Sequence, residues 1–241
     1  MSDLIDIVRA PAKLTLSLRV VGVRDDGYHL LDAEMVTIDL ADTLEFTAGD
    51  SLTVSGAPAL PAGSLNLISR ALDVVGRRAH VNVVKRIPLG AGLGGGSADA
   101  AAVLRWAGCH DLAVAARLGA DVPFCLVGGR ARVRGTGELI EPLPWEAVAG
   151  QTYTLLTPPF GVSTASVYQA WDDLGGPAGA GPNDLEPAAL SVEPRLTEWR
   201  DRLKDATGQT PVLAGSGSTW FVEGSYPGGG RVVVRVTRPD G

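Results

Sequence analysis

The sequence predicts an α+β fold, on three observations. Strand-like stretches dominate residues 4–54. Helix-like and strand-like stretches then mix without steady βαβ alternation. A glycine-rich run at 88–99 joins a strand to a helix. The 241 residues suffice for one large domain or two small ones, and 45% hydrophobic with 20% charged residues is an ordinary globular composition.

The first strand is read from Leu14, Leu16 and Leu18 alternating with Lys13, Thr15 and Ser17. One face is apolar; the other, with its lysine, suits the wall of a cleft. Asp25-Asp26-Gly27 is a hairpin-type turn. Residues 35–46 and 51–54 are predicted strands, 58–64 a loop, 66–77 a helix and 80–86 a strand. The glycine run leads into a helix at 97–107, followed by a short helix at 111–118. Residues 125–127 and 131–133 read as strands paired across Gly128-Gly129. A second part begins near 149–151. Its strands are predicted at 153–157, 212–213, 219–222 and 231–237, its helices at 163–173 and 193–206, and a Gly/Pro/Ala loop at 175–182. There is no internal repeat.

A net charge of −6 argues against a general nucleic-acid-binding surface. Cys109 and Cys125 make neither a disulfide framework nor a metal site, and read as buried small hydrophobes in a reducing compartment. The acidic start, residues 1–6, lacks a signal peptide's basic region, and no apolar run reaches membrane-spanning length. The expectation is a cytoplasmic protein, monomer or homodimer, with no nucleic-acid or membrane partner.

Five glycines fall between residues 90 and 96. Glycine lets a backbone turn tightly and approach a ligand, since no Cβ intervenes. Ser97 is a candidate N-cap, so the loop ends at unpaired N–H groups and the positive end of a helix dipole, a site for phosphate. A Walker A loop is excluded, because no lysine follows the glycines. Gly90, Gly92 and Gly95 match G-x-G-x-x-G, but the acidic residue at the right distance, Asp111, opens a helix and does not end a strand. A protein-kinase loop fails for want of His-Arg-Asp and Asp-Phe-Gly.

The run from Pro88 to Ala102 resembles the phosphate loop of the GHMP kinase superfamily. Residues 10–14, 26–29, 118–124, 183–186 and 215–219 resemble further segments of it, in the same order over nearly the whole chain. They narrow the resemblance to the members acting on 4-diphosphocytidyl-2-C-methyl-D-erythritol, of the non-mevalonate route to isoprenoids. The resemblance implies a two-domain GHMP fold: a nucleotide-binding domain over 1–149 and a ferredoxin-like domain over 150–241. It implies an enzyme that moves the γ-phosphoryl group of ATP, with Mg²⁺, to that acceptor's 2-hydroxyl. Two alternatives stand beside it: a homoserine- or mevalonate-type kinase, and a non-catalytic nucleotide-binding module. The second would need Lys13 or Asp121 to be lost, and both are present.

The residues divide by role. Asp121 reads either as a turn or cap aspartate or, by the resemblance, as the base; Lys13 reads as an exposed strand lysine or as the cation beside that base. The resemblance assigns ATP to Asn66, Pro88, Gly90, Gly92, Gly94, Gly95, Gly96, Ser97 and Ala98. Asn66 also reads as a helix N-cap. Tyr28 and His29 read as a cross-strand aromatic pair, or by resemblance as the stack and polar edge of a cytosine site. Thr15, Thr164, Tyr168, Gly215, Ser216 and Gly217 complete the implied substrate site. Thr15 stands where the family usually has asparagine, Met35 where it often has an aromatic, and Ala98 where it often has a second serine. Ser97 is then the surviving hydroxyl and a possible metal ligand. Asp99 and Glu138 read as structural or as weaker metal candidates. The link at 108–110 and the loop at 55–64 are short for the family.

Overall fold

The computed structural model describes residues 5–56 and 62–238, with 62–66 described in backbone only. The hairpin predicted at 25–27 joins two long antiparallel strands, β1 (Asp6–Val23) and β2 (His29–Thr47). Arg24 N–H donates to Tyr28 O at 2.8 Å and Gly27 N–H to Arg24 O at 2.9 Å, closing the turn. Register shifts at Pro11/Lys13, Thr15/Ser17 and Val20/Gly22 mark irregularities that bend β1. Both of its faces are covered around Leu14: Lys13 and Thr15 are buried along with it. The polar face is therefore covered, not a solvent face, and through Lys13 it reaches the cleft between the two halves.

β3 (Ser51–Ser55), β4 (His80–Val84), β5 (Arg130–Gly135) and β6 (Leu139–Pro142) complete the first sheet, ordered β3-β4-β2-β5-β6, with β1 on β2. β3 and β4 are parallel, joined through α1 (Ala62–Val74). α2 (Gly95–Trp106) packs on α1 and β1. Its Ala98, Ala100, Ala101 and Ala102 are fully buried, and their small side chains let the helix lie close to its neighbours. α3 (Leu112–Leu118) is capped by the Asp111 side chain, which accepts from Ala113 N–H at 2.8 Å.

The segment 125–127 is not a strand. It ends α4 (Val122–Val127), which leads through Gly128 and Gly129 into β5. A short apolar run does not announce its period. Pro123 suits a first helical turn, and Phe124, Cys125 and Leu126 are all buried. α1 begins before residue 66, and residues 58–61 of the predicted loop lie outside the described residues.

The second sheet runs β10-β7-β9-β8, from β7 (Thr152–Leu156), β8 (Val212–Leu213), β9 (Trp220–Glu223) and β10 (Val232–Arg235). Three helices accompany it: α5 (Thr164–Asp173), α6 (Glu186–Val192) and α7 (Leu196–Thr207). The sequence reading missed α6 and β6. Backbone bonds join the two halves: Leu18 N–H to Pro182 O at 2.8 Å, Asp184 N–H to Leu18 O at 2.9 Å, and Thr237 N–H to Thr37 O at 2.9 Å. Among the described residues no helix is long and apolar enough to cross a membrane.

Candidate active site

A cleft of about 730 Å³ opens between the two halves, a volume suited to small molecules. Its floor is the glycine run. Gly94 turns left-handed at φ 69°, and α2 starts at Gly95, so the predicted Ser97 cap is displaced by Gly94. The first helical bond is Ala98 N–H to Gly94 O at 2.8 Å. Gly95, Gly96 and Ser97 therefore have N–H groups with no intrahelical acceptor, and all three line the cleft. Aligned with the helix dipole, they form an anion site.

At two positions the glycines serve a purpose the sequence did not reveal. A Cβ on Gly92 would lie 2.1 Å from Ala214 O, and one on Gly94 would lie 2.8 Å from Lys13 Cγ. There the missing Cβ makes room for protein rather than ligand. The loop docks on the segment after β8: Ser218 N–H donates to Gly90 O at 3.3 Å and Thr219 N–H to Ala91 O at 3.1 Å. This brings Gly215 and Ser216 to the cleft, where Ser216 Oγ bonds Thr164 Oγ1 at 2.9 Å.

Lys13 and Asp121 meet at this floor, with Nζ 3.6 Å from Oδ2. Lys13 is held at both ends: its N–H donates to Leu93 O at 3.1 Å, and its ammonium to Thr15 Oγ1 at 3.0 Å. Asp121 stands at the N-cap position of α4 but makes no capping bond. Its carboxylate, 34% exposed, turns to the lysine and the cleft, against the cap reading. The lysine is 7% exposed, against the surface reading.

Not every expected residue reaches the cleft. Thr15 does not line it, and touches the site through Lys13. Ala98 faces the core, and Gly217 packs on the loop instead of lining the cleft, its carbonyl oxygen 2.7 Å from where a Gly92 Cβ would stand. The Asn66 side chain lies outside the described residues. Pro88, Gly90, Met35, Thr164 and Tyr168 do line the cleft. Tyr28 and His29 line it too but are not a ring pair: Tyr28 is 63% exposed with Arg24 over its ring, while His29 packs on Tyr168. Burial, and secondarily the Asp121 charge, raises the Tyr168 hydroxyl pKa, so it stays protonated. The sequence reading passed over Asp172, which bonds His29 at 2.9 Å; its signal was its place one helical turn after Tyr168.

Under the loop lies a buried ion cluster. Lys85, just before the run, bonds Asp42 and, at 2.7 Å, Asp99 of α2; Asp42 also accepts from Arg86 and Ile87 N–H at 2.5 and 2.8 Å. Asp99 is thereby a structural residue, tying the two ends of the loop together. Glu138 accepts from Thr136, closing its own turn. Burial pushes the Asp99 carboxyl up to about 7, opposed by Lys85 and aided by Asp42. A folded pKa above the unfolded one gives stability that is full at low pH and is lost as pH rises through the folded value. The contribution of Asp99 to stability should thus be lost between about pH 4 and pH 7. Denaturation midpoints of Asp99→Asn should fall less over that window, and parallel curves for the two proteins would refute the assignment.

Residues 62–129 match the GHMP kinases N-terminal domain. A 4-diphosphocytidyl-2-C-methyl-D-erythritol kinase of Paracoccus denitrificans is 40% identical over 233 residues, spanning 88% of this chain and 84% of the relative. One from Pelotomaculum thermopropionicum is 39% identical, spanning 88% and 86%. A crystal structure of 4-(cytidine 5'-diphospho)-2C-methyl-D-erythritol kinase superposes with a TM-score of 0.68 at 34% identity, covering 90% of this chain and 89% of that one. Homoserine kinase from Cytophaga hutchinsonii, at 20% identity and a TM-score of 0.57, shares the fold. At this similarity over nearly its whole length, the chain belongs to the 4-diphosphocytidyl-2-C-methyl-D-erythritol kinase family of the GHMP kinases.

Proposed function

We propose that the protein transfers the γ-phosphoryl group of ATP to the 2-hydroxyl of 4-diphosphocytidyl-2-C-methyl-D-erythritol. The observation that carries this reading is the Lys13–Asp121 pair, set beside the open N-terminus of α2 in one cleft. The first sheet and its helices, 1–149, form the nucleotide half, and 150–241 close the acceptor side. Both substrates are small molecules, and the expected compartment is the cytoplasm.

In this reading the N–H groups of Gly95, Gly96 and Ser97 receive the ATP phosphates. The Asp121 carboxylate takes the proton of the acceptor hydroxyl as its oxygen bonds to the γ-phosphorus. The bond from that phosphorus to the bridging oxygen breaks, and ADP leaves. Positioning and charge supply most of such a catalysis. Lys13, held by Thr15 and the loop, offsets the negative charge gathering at the transferred group.

Among the described residues no cluster of His, Cys, Asp or Glu would hold a metal by itself. Mg²⁺ would be held mainly by phosphate oxygens and water, and Ser97, which lines the cleft, would be the side chain to hold it. When bound, it neutralises phosphate charge.

The experiment is phosphorylation of a panel of acceptors with Mg·ATP. The cytidyl acceptor should be turned over far better than homoserine or mevalonate; equal or faster use of either would overturn the assignment. Tyr28, exposed at the cleft rim, is read as the ring on which cytosine stacks. Stacking is worth about 1–3 kcal/mol per base. Tyr28→Ala should raise the acceptor KM by about tenfold to a hundredfold with the ATP KM unchanged. A rise in the ATP value alone would take Tyr28 out of the acceptor site.

A further inference from the structure

Asp172 has no part in the chemistry above, yet it lines the same cleft. It follows Tyr168 by four residues on α5, so the two share one helix face. Both reach His29. The Tyr168 ring lies 4.7 Å from the imidazole, and His29 Nε2 lies 2.9 Å from Asp172 Oδ1. Trp171 stands edge-on at 5.5 Å, fixed by its own Nε1–H donation to Pro177 O at 3.0 Å. The imidazole is thus held on three sides and is 10% exposed.

An ionised carboxylate only accepts hydrogen bonds, so Nε2 carries the hydrogen. In the neutral ring Nδ1 is then a bare acceptor. Among the described residues nothing bonds to it. Cytosine and uracil differ at C4, where one carries an amine that donates and the other a carbonyl that accepts. An acceptor nitrogen pairs with the first and repels the second.

We propose that Asp172 is a positioning residue that fixes His29 as a hydrogen-bond acceptor, and so selects an amino-pyrimidine over an oxo-pyrimidine in the acceptor nucleotide. This rests on reading the acceptor as a cytidine diphosphate compound. Asp172 acts through His29 and touches no reacting atom. Its side chain is 42% exposed, so the pair adds little to stability, and its effect is read in specificity.

Asp172→Asn tests this with almost no change of shape. An amide also donates, so it frees the ring to adopt the other tautomer. Turnover would be measured with the cytidyl acceptor and its uridyl counterpart, beside imidazole ¹⁵N NMR of the wild type. The cytidyl-over-uridyl ratio in kcat/KM should fall about tenfold in Asp172→Asn, with the ATP KM changed by less than about twofold. Asp172→Glu, which keeps the carboxylate, should retain the ratio. The wild-type spectrum should show hydrogen on Nε2 and none on Nδ1. An unchanged ratio in Asp172→Asn, or hydrogen on Nδ1 in the wild type whether or not Nε2 also carries one, would overturn the proposal. A wild-type enzyme that does not favour the cytidyl acceptor over homoserine or mevalonate overturns the reading of the acceptor, and this proposal with it.

Discussion

Asp121→Asn is expected to lower turnover by about 10²- to 10⁴-fold while ATP affinity stays within about twofold of wild type. The variant keeps the size and shape of the side chain and removes its ability to take a proton. Asp121 makes no capping bond to α4, so the helix loses no hydrogen bond of its own in the exchange. The ATP phosphates are read onto the N–H groups at the N-terminus of α2, which the substitution leaves unchanged. The check is single-turnover phosphorylation alongside calorimetry with a non-hydrolysable ATP analogue. Wild-type turnover would return Asp121 to a purely structural turn. A matched loss of ATP affinity would mean that it holds nucleotide rather than acceptor.

Gly94→Val is expected to damage both binding and turnover, for a reason internal to the protein. At φ 69° a β-branched residue is strongly disfavoured, a cost on the order of 1–3 kcal/mol. The new side chain would also start 2.8 Å from Lys13 Cγ and 3.3 Å from Lys13 Cε, pushing the cation off its place beside Asp121. Loss of one positioned charge-stabilising group costs about 10²–10³-fold in turnover. ATP affinity should fall by about tenfold or more as α2's first turn shifts. Gly96→Ala is the contrast. Its Cβ would meet only Leu67 Cδ1 at 3.4 Å, and the change should be mild. If Gly94→Val retained full turnover with a folded circular dichroism spectrum, the lysine would not depend on this glycine.

The chain dictated its local structure where short-range physics decides. The period of two at residues 13–18, the Asp-Gly turn, the Asp111 cap and a glycine loop opening a helix were legible because each depends on neighbours in sequence. The α+β class followed from strands and helices mixing without steady βαβ alternation, and the meeting of Lys13 with Asp121 from the family resemblance carried by motifs in order along the chain. Where local signals were balanced, the reading failed. Residues 122–127 carry an apolar run that fits a strand or a helix, and burial of Phe124, Cys125 and Leu126 together settled on a helix. The purpose of Gly92 and Gly94 was hidden for a different reason: the atoms that exclude a Cβ belong to Ala214, Gly217 and Lys13, far away in sequence. The same holds for the Lys85–Asp42–Asp99 cluster and for Asp172 on His29, whose partners lie 43, 14 and 143 residues apart. A carboxylate alone in a sequence is equally a cap, a surface charge or a partner. Only the tertiary fold, by burying some of these groups and bringing their partners within hydrogen-bond reach, decided which each became.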